Sequence, residues 1–376
     1  MEMETSISKN GMGIRGYDFV EFYVGSAKMV AYWYVKTMGF DIQAYSGPET
    51  GVKDRVSYYL VQNNIKIVIT SAIHPGANDI IRFINLHGDG VKRWSINVES
   101  VEKAFSHAVS NGAIPERTPQ ETSDENGFIV EAAIKLYDDA EIVFFNADQY
   151  RGLFRPGFAE PLQNISFERE QSGLKFIDHI VGNVRENEMN YWADYFINTM
   201  DFETALSFGP GDISTQYSAL LSKVVRTKDH LIQNPINEPY EGIKKSQIEE
   251  YIEQYHGTGI QHIAIATDDI VRTIAALRKN GMEFLSVPDT YYDHLKERAI
   301  EITEDIEELK EQGILCDVEG TGYLLQLFTK PIGDRPTFFY EIIQRRKGAQ
   351  GFGQGNFQSL FESIEMDQAL RGNLDR

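Results

Sequence analysis

The strongest constraint on what this chain can fold into is that it repeats itself. Phe22-Tyr23-Val24-Gly25, followed by Tyr32-Trp33 and Thr37-Met38-Gly39-Phe40, is echoed by His179-Ile180-Val181-Gly182, followed by Tyr191-Trp192 and Thr199-Met200-Asp201-Phe202. A second echo links residues 94–112 to residues 263–281, each copy closing on Asn-Gly. Repetition on this scale implies duplicated supersecondary units, none able to close a core alone. Each unit reads as one strand, an amphipathic helix, then several strands. Residues 270–279 place apolar side chains at helical spacing, after the capping candidates Asp268 and Asp269 and before Gly281. Residues 101–109 do the same in the first half. Residues 56–61 are rich in β-branched and aromatic side chains and read as a strand.

The 376 residues leave room for two domains with a substantial core. The pattern breaks at Arg155-Pro156-Gly157, which divides the chain into domains of residues 12–155 and 156–376. Two stretches stand outside the repeat. Residues 228–250, with Pro235 and Pro239, read as a polar loop running into a charged helix. Residues 297–312 read as an acidic surface helix, whose Glu301, Glu304, Asp305, Glu307 and Glu308 form a solvated face rather than a metal cluster.

A net charge of -20 argues against nucleic acid or an anionic membrane as partner. The single cysteine, Cys316, excludes an intrachain disulfide and fits a reducing cytoplasm. No basic stretch followed by an apolar one opens the sequence, and no run approaches the roughly 18 apolar residues of a membrane span. A soluble cytoplasmic protein is expected.

Three residues carry the chemistry. His179, His262 and Glu341 each sit in a short apolar run that reads as a strand, at nearly equal intervals. Alternation along a strand puts Ile177, His179 and Val181 on one face, and likewise Ile260, His262 and Ala264, and Phe339, Glu341 and Ile343. If these faces line one cavity, burying the three polar groups is costly unless a partner or a metal satisfies them. Two imidazoles and a carboxylate are the donor set of a non-haem Fe(II) oxygenase, with the remaining positions open. From pattern alone, satisfied core histidines explain these residues as well as a metal does. The first half has Phe22 where the second has His179, and Arg93 where it has His262, so it cannot rebuild such a site. Its expected role is scaffold. The remaining histidines, His74, His87, His107, His230, His256 and His294, fall in loops or on expected helix surfaces.

A wider set of motifs narrows the reading. Asp178-His179-Ile180-Val181-Gly182, Pro235-Ile236-Asn237-Glu238-Pro239, Lys245-Ser246-Gln247, Gly259-Ile260-Gln261-His262-Ile263-Ala264, Phe284-Leu285-Ser286-Val287-Pro288 and Gly351-Phe352-Gly353-Gln354-Gly355-Asn356-Phe357 occur in order. Together they resemble the 4-hydroxyphenylpyruvate dioxygenase family, densely from about residue 174 onward and more loosely before it.

The resemblance implies an α+β protein of the vicinal oxygen chelate fold, with duplicated βαβββ modules forming two open-barrel domains. It implies one Fe(II) per subunit on His179, His262 and Glu341, and 4-hydroxyphenylpyruvate and O2 as substrates. The products would be homogentisate and CO2, in tyrosine and phenylalanine catabolism. It further implies a homodimer or homotetramer. By position, Ser222, Asn237 and Gln247 match the family's polar network. Gln261 and Gln326 match its remaining glutamines, and Phe328, Phe339, Phe352 and Phe357 match aromatics that enclose the substrate ring. Strict alternation would turn Gln261 away from His262, so its role needs a local twist or bulge. Gly351-Phe352-Gly353-Gln354-Gly355 lacks the βαβ context of a dinucleotide loop and instead suits a hinge for a C-terminal gating helix over residues 357–369. Two other readings stand beside this one. A 4-hydroxymandelate synthase would act on the same substrate but would carry a smaller residue at position 357, and a non-catalytic ligand-binding member of the fold would not need the triad.

Overall fold

The computed structural model describes residues 11–163, 166–209, 219–240, 242–297 and 302–373. The repeat seen in the sequence becomes two eight-stranded sheets of the same topology. The first contains β1 (Ile14–Tyr23), β2 (Asp41–Ser46), β3 (Arg55–Gln62), β4 (Ile65–Ala72), β5 (Gly90–Val98), β6 (Pro115–Asp124), β7 (Gly127–Leu136) and β8 (Ala140–Asn146), in the order β2-β3-β4-β1-β5-β8-β7-β6. The second contains β9 (Leu174–Asn183), β10 (Glu203–Phe208), β11 (Ala219–Arg226), β12 (Gln233–Tyr240), β13 (Gly259–Thr267), β14 (Leu315–Glu319), β15 (Gly322–Phe328) and β16 (Phe339–Arg346), in the order β10-β11-β12-β9-β13-β16-β15-β14.

Each sheet is two βαβββ modules joined along their first strands. The last strand of every module lies parallel to its first (β4 to β1, β8 to β5, β12 to β9, β16 to β13), while the joints β1–β5 and β9–β13 are antiparallel. A parallel return needs a crossover, and the helices Ala27–Trp33, Val101–Ser110, Met189–Met200 and Ile270–Lys279 supply it. The last of these matches the sequence expectation to the residue, with the Asp269 carboxylate accepting the Arg272 amide as its cap. The C-terminal helix, Phe357–Arg371, runs two residues beyond the expected end.

A continuous apolar core spans both sheets. Phe22 meets Phe338 edge-on at 5.1 Å, the Tyr34 and Tyr340 hydroxyls lie 2.6 Å apart, and the Tyr17 hydroxyl donates to the Gln233 carbonyl. Between β8 and β9 the described residues form no helix or strand beyond isolated bridges. Among the described residues, no helix is long and apolar enough to cross a membrane.

Three local expectations give way. Residues 233–240 are a strand, β12, not a loop. Pro235 and Pro239 are tolerated because their missing N–H groups fall on the same edge of the strand. Parallel pairing to β9 along β12 is confined to Ile236↔Gly182 and Asn237↔Asn183, whereas the antiparallel ladder to β11 is complete. Among the described residues of 297–312, helix covers Ile306–Gln312 and Glu297, the last residue of a separate helix Asp289–Glu297; Glu301 lies outside the described residues. Glu304 is not part of a solvated face: it accepts from the Tyr323 hydroxyl, the Gln344 amide and the Arg346 guanidinium. His87, expected on a helix surface, is wholly buried, with Nδ1 2.6 Å from the Tyr255 carbonyl and its ring stacked on Tyr255.

Candidate metal centre

The register of three adjacent strands assembles the centre. Ala264 on β13 pairs with His179 on β9 and with Glu341 on β16, and His262 stands two residues earlier on β13, facing the same way. His179 Nε2 lies 3.2 Å and His262 Nε2 3.5 Å from the same Glu341 oxygen. The donor atoms of all three residues fall within 4.8 Å of one another, and all three residues are buried. Two donors at right angles, each about 2.1 Å from one ion, stand about 3 Å apart, so this spacing suits a shared cation.

The charges fit the same conclusion. Burial would raise the Glu341 carboxyl, but the two imidazoles hold it down at about 2. Burial would lower His179, yet Glu341 and Asp178 lift it to about 9. His262 moves down, because burial outweighs its contact with Glu341 and the His179 charge opposes a second proton. A proton on His179 therefore occupies the place of a cation between a nitrogen and a carboxylate.

Each histidine is oriented by the residue before it. Strict alternation would place Asp178 and Gln261 on the far face of their strands. The β9–β13 ladder slips three times, and two of these slips, between the Ala264↔His179 and Ile265↔Ile177 pairs and between Ile260 and His262, turn both residues inward. Asp178 Oδ1 then lies 2.7 Å from His179 Nδ1, and Gln261 Oε1 3.1 Å from His262 Nδ1. With acceptors at Nδ1, each ring carries a hydrogen there and directs Nε2 at the centre, where the His179 lone pair is freed once its Nε2 proton leaves. Asp178 is itself clamped by Arg345, whose Nε and Nη2 donate to its two oxygens at 2.9 and 2.8 Å. Burial opposes ionisation of Asp178, but Arg345 and His179 hold its carboxyl far below the ordinary range.

The triad opens into a cavity with a largely aromatic and aliphatic wall. Ser222 and Asn237 face each other across β11 and β12, and Gln247 opens the helix Gln247–Tyr255 behind its Ser246 cap. These three line the cavity together with Gln261, Phe328, Phe339, Phe352 and Phe357. Phe339 stacks on the His262 ring at 4.7 Å and Phe352 stands edge-on to His179 at 5.0 Å. Leu360, Phe361 and Ile364 of the C-terminal helix close the wall.

Gln326 is the one expected site residue that does not line it. Its side chain is fully buried, neither amide atom has a hydrogen-bond partner among the described residues, and Gly353 packs so closely on it that a Cβ there would collide. The sequence reading missed Asp178 and Arg345. Asp178 was visible only as a neighbour of His179, and a two-residue period assigns such a neighbour to the wrong face.

Curled sheets of βαβββ modules, with a buried two-histidine, one-carboxylate group that could hold a metal ion, define a protein of the vicinal oxygen chelate class. The sequence model for the N-terminal region of hydroxyphenylpyruvate dioxygenase matches residues 8–153, and that of the glyoxalase, bleomycin resistance protein and dioxygenase superfamily matches residues 176–308. The chain is 44% identical over 370 residues to the 4-hydroxyphenylpyruvate dioxygenase of Yarrowia lipolytica, covering 96% of this chain and 94% of that protein. It is 42% identical over 371 residues to that of Dictyostelium discoideum, covering 96% and 100%. Among solved structures it resembles a triple mutant of 4-hydroxymandelate synthase from Streptomyces coelicolor, with a TM-score of 0.84 and 28% identity over 95% of this chain and all of that one. The chain belongs to the 4-hydroxyphenylpyruvate dioxygenase family.

Proposed function

We propose that this protein is an Fe(II)-dependent dioxygenase that converts 4-hydroxyphenylpyruvate and O2 to homogentisate and CO2 in tyrosine catabolism. The observation that carries the reading is a buried His179, His262 and Glu341 group opening into an aromatic-walled cavity, in a chain similar to such dioxygenases along its whole length. Bound Fe(II) would supply open positions for the 2-oxo acid and for O2 and would relay to O2 the electrons given up by the substrate in decarboxylation and ring hydroxylation. His179, His262 and Glu341 would hold it on one face. Asp178 and Gln261 keep the two Nε2 lone pairs turned toward it. Phe339 and Phe352, packed on the two imidazoles, flank the space beside the ligands and receive the flat face of the substrate ring. Ser222, Asn237 and Gln247 offer hydroxyl and amide groups in an otherwise apolar wall, where each polar contact to the substrate's phenol or ketoacid gains selectivity. Phe328 and Phe357 complete the aromatic enclosure. Gln326 would join the polar set once the Gly353 backbone shifts off it. The helix Phe357–Arg371 excludes water while the substrate is bound.

The domain division at 155/156, a cytoplasmic location and assembly as a homodimer or homotetramer belong to the same proposal; the lone, buried Cys316 supports the second of these. Benzylic attack, giving 4-hydroxymandelate, is the second reading, and the structural likeness to a 4-hydroxymandelate synthase mutant motivates it. Phe357 favours the first, because a bulky ring there, edge-on to Phe208 at 5.4 Å, limits how far the substrate slides relative to the reacting centre. Oxygen uptake with Fe(II) and 4-hydroxyphenylpyruvate, followed by product identification, is the test. Homogentisate is expected; 4-hydroxymandelate would overturn ring attack, and no uptake would overturn both readings.

A further inference from the structure

Arg345 touches more of the functional apparatus than any contact in the proposed chemistry requires. Its guanidinium grips both oxygens of Asp178, the carboxylate that orients His179. Its third nitrogen, Nη1, donates to the Gly351 carbonyl at 2.6 Å. The same guanidinium lies 5.5 Å from the centre of the Phe352 ring, which in turn packs edge-on against His179. From the other side, Glu319 accepts the amides of Gln350 and Gly351 at 2.9 and 2.6 Å. The loop is therefore pinned at Gly351 through both its carbonyl and its amide.

That loop is the stem of the C-terminal helix. Gly353, at φ +79°, leads into a single 3-10 turn, Gln354–Asn356, and then directly into Phe357–Arg371. A displacement of the helix large enough to open the cavity pulls on Gly351. A guanidinium is planar, with its donors in a fixed fork, so it cannot follow Gly351 and keep its paired bonds to Asp178. Nor can His179 rotate without disturbing Asp178 and the Phe352 ring.

We propose that Arg345 is a positioning residue that couples the His179 imidazole to closure of the C-terminal helix, so that metal binding tightens the helix and a closed helix tightens metal binding. Coupling of this kind is reciprocal. It also gives the enzyme an order of events, because a loaded, oriented centre favours the closed cavity that excludes water. The inference rests on the metal site in the proposed function and extends it to the gate.

The test uses Co(II) as probe on the metal-free full-length protein, with Arg345→Lys and Asp178→Asn as variants. Lysine keeps the charge but, as a point donor, cannot hold Asp178 and Gly351 together. In the wild type, Co(II) is expected to slow hydrogen exchange across residues 351–371 by about fivefold or more. In Arg345→Lys, that metal-dependent protection should fall below about twofold, and Co(II) affinity should drop about 10- to 100-fold. Asp178→Asn should lower affinity similarly and shift the visible Co(II) spectrum, which loss of fold stability alone does not do. Full metal-dependent protection in Arg345→Lys would overturn the coupling, whatever happens to affinity. A wild type that binds no Co(II) would overturn the metal reading itself and this inference with it.

Discussion

The two sheets share a strand order and differ in what fills them. In the second, the middle of the curl holds His179, His262 and Glu341 around space for a cation. In the first, Phe19, Tyr59, Val143, Phe145 and Phe154 fill the middle, with Tyr59 and Phe154 stacked at 4.1 Å. Arg93, at the position of His262, lies 3.5 Å from Glu21 and 3.4 Å from Glu141. The first half thus carries a permanent guanidinium between two carboxylates, where the second half has a histidine and carboxylate group that could hold an exchangeable ion. Both central strand pairs, β1–β5 and β9–β13, contain register slips. Bulges alone do not make a metal site. What separates the halves is whether the residues turned inward are donors with a lone pair to give or groups that already satisfy one another.

Removing a donor is the sharpest way to break this contrast. Glu341→Gln keeps the shape but loses the negative charge that the two imidazoles hold ionised down to about 2. The variant should fold, bind Fe(II) about 100-fold more weakly or worse, and lose turnover accordingly. Metal titration and oxygen uptake check it; wild-type turnover would remove this carboxylate from the ligand set.

The mirror experiment in the first half should cost stability and spare the metal. Arg93→Ala leaves Glu21 buried without its cation while Glu141 keeps Lys92 at 2.9 Å and Arg117 at 3.7 Å, so the cost should sit at the lower end of the range for a broken buried pair, about 3 kcal/mol. Denaturant unfolding of the metal-free protein measures the loss, and Co(II) affinity should stay at its wild-type value. A parallel loss of affinity would mean that the first half shapes the metal site directly.

Between these lies a dependence on pH. The folded-state value of His179 is raised to about 9, so the metal-free protein carries that proton at neutral pH. A metal needs the Nε2 lone pair and must expel it. Apparent metal affinity should therefore rise about tenfold per pH unit on approach to pH 9 and level off above it, with one proton released per ion near pH 7. Glu341 is already ionised throughout this window and adds no slope. Calorimetry in two buffers of different ionisation enthalpy reads the proton directly; no release at pH 7 would contradict the His179–Glu341 ion pair.

How much of this was legible in the chain depends on which period a residue obeys. The module plan was readable because the echoes at Phe22 and His179, and at Trp94 and Ile263, mark the first strands and crossover helices that every module needs. The donors were readable because polar residues in apolar strand runs are expensive to bury. Asp178 was not, since a bulge cancels the alternation that would have placed it. β12 was hidden by Pro235 and Pro239, whose cost disappears only because of where their missing donors point, a fact of pairing and not of composition. Phe22 was matched to His179 by sequence, yet it packs on Phe338 and Tyr34, and it is the Phe19 amide that reaches Ser95, the residue aligned with Ala264. The residue of the first half that stands where His179 does is thus Phe19, three residues before the position that the sequence echo suggests.

His87 offers the finest probe of what the first half does for the second. It ends the helix Asn78–His87, stacks on Tyr255 at 4.1 Å, and meets the last carbonyl of the helix Gln247–Tyr255, whose other end presents Gln247 to the cavity. Nothing in its sequence context signals burial, because Tyr255 lies in the other half and Asp139, 3.2 Å from its Nε2, lies 52 residues further along the chain. His87→Leu keeps an apolar side chain against Tyr255 but leaves that carbonyl without its partner, at about 1–2 kcal/mol. The helix is about 13 Å long, so a small tilt at Tyr255 displaces Gln247 by a fraction of an ångström. The expected result is a KM for 4-hydroxyphenylpyruvate raised about threefold with kcat little changed, as befits a contact made equally in ground and transition states. Stability lost with KM unmoved would confine the first half to holding the fold together, and the shape of the cavity would then be set by the second half alone.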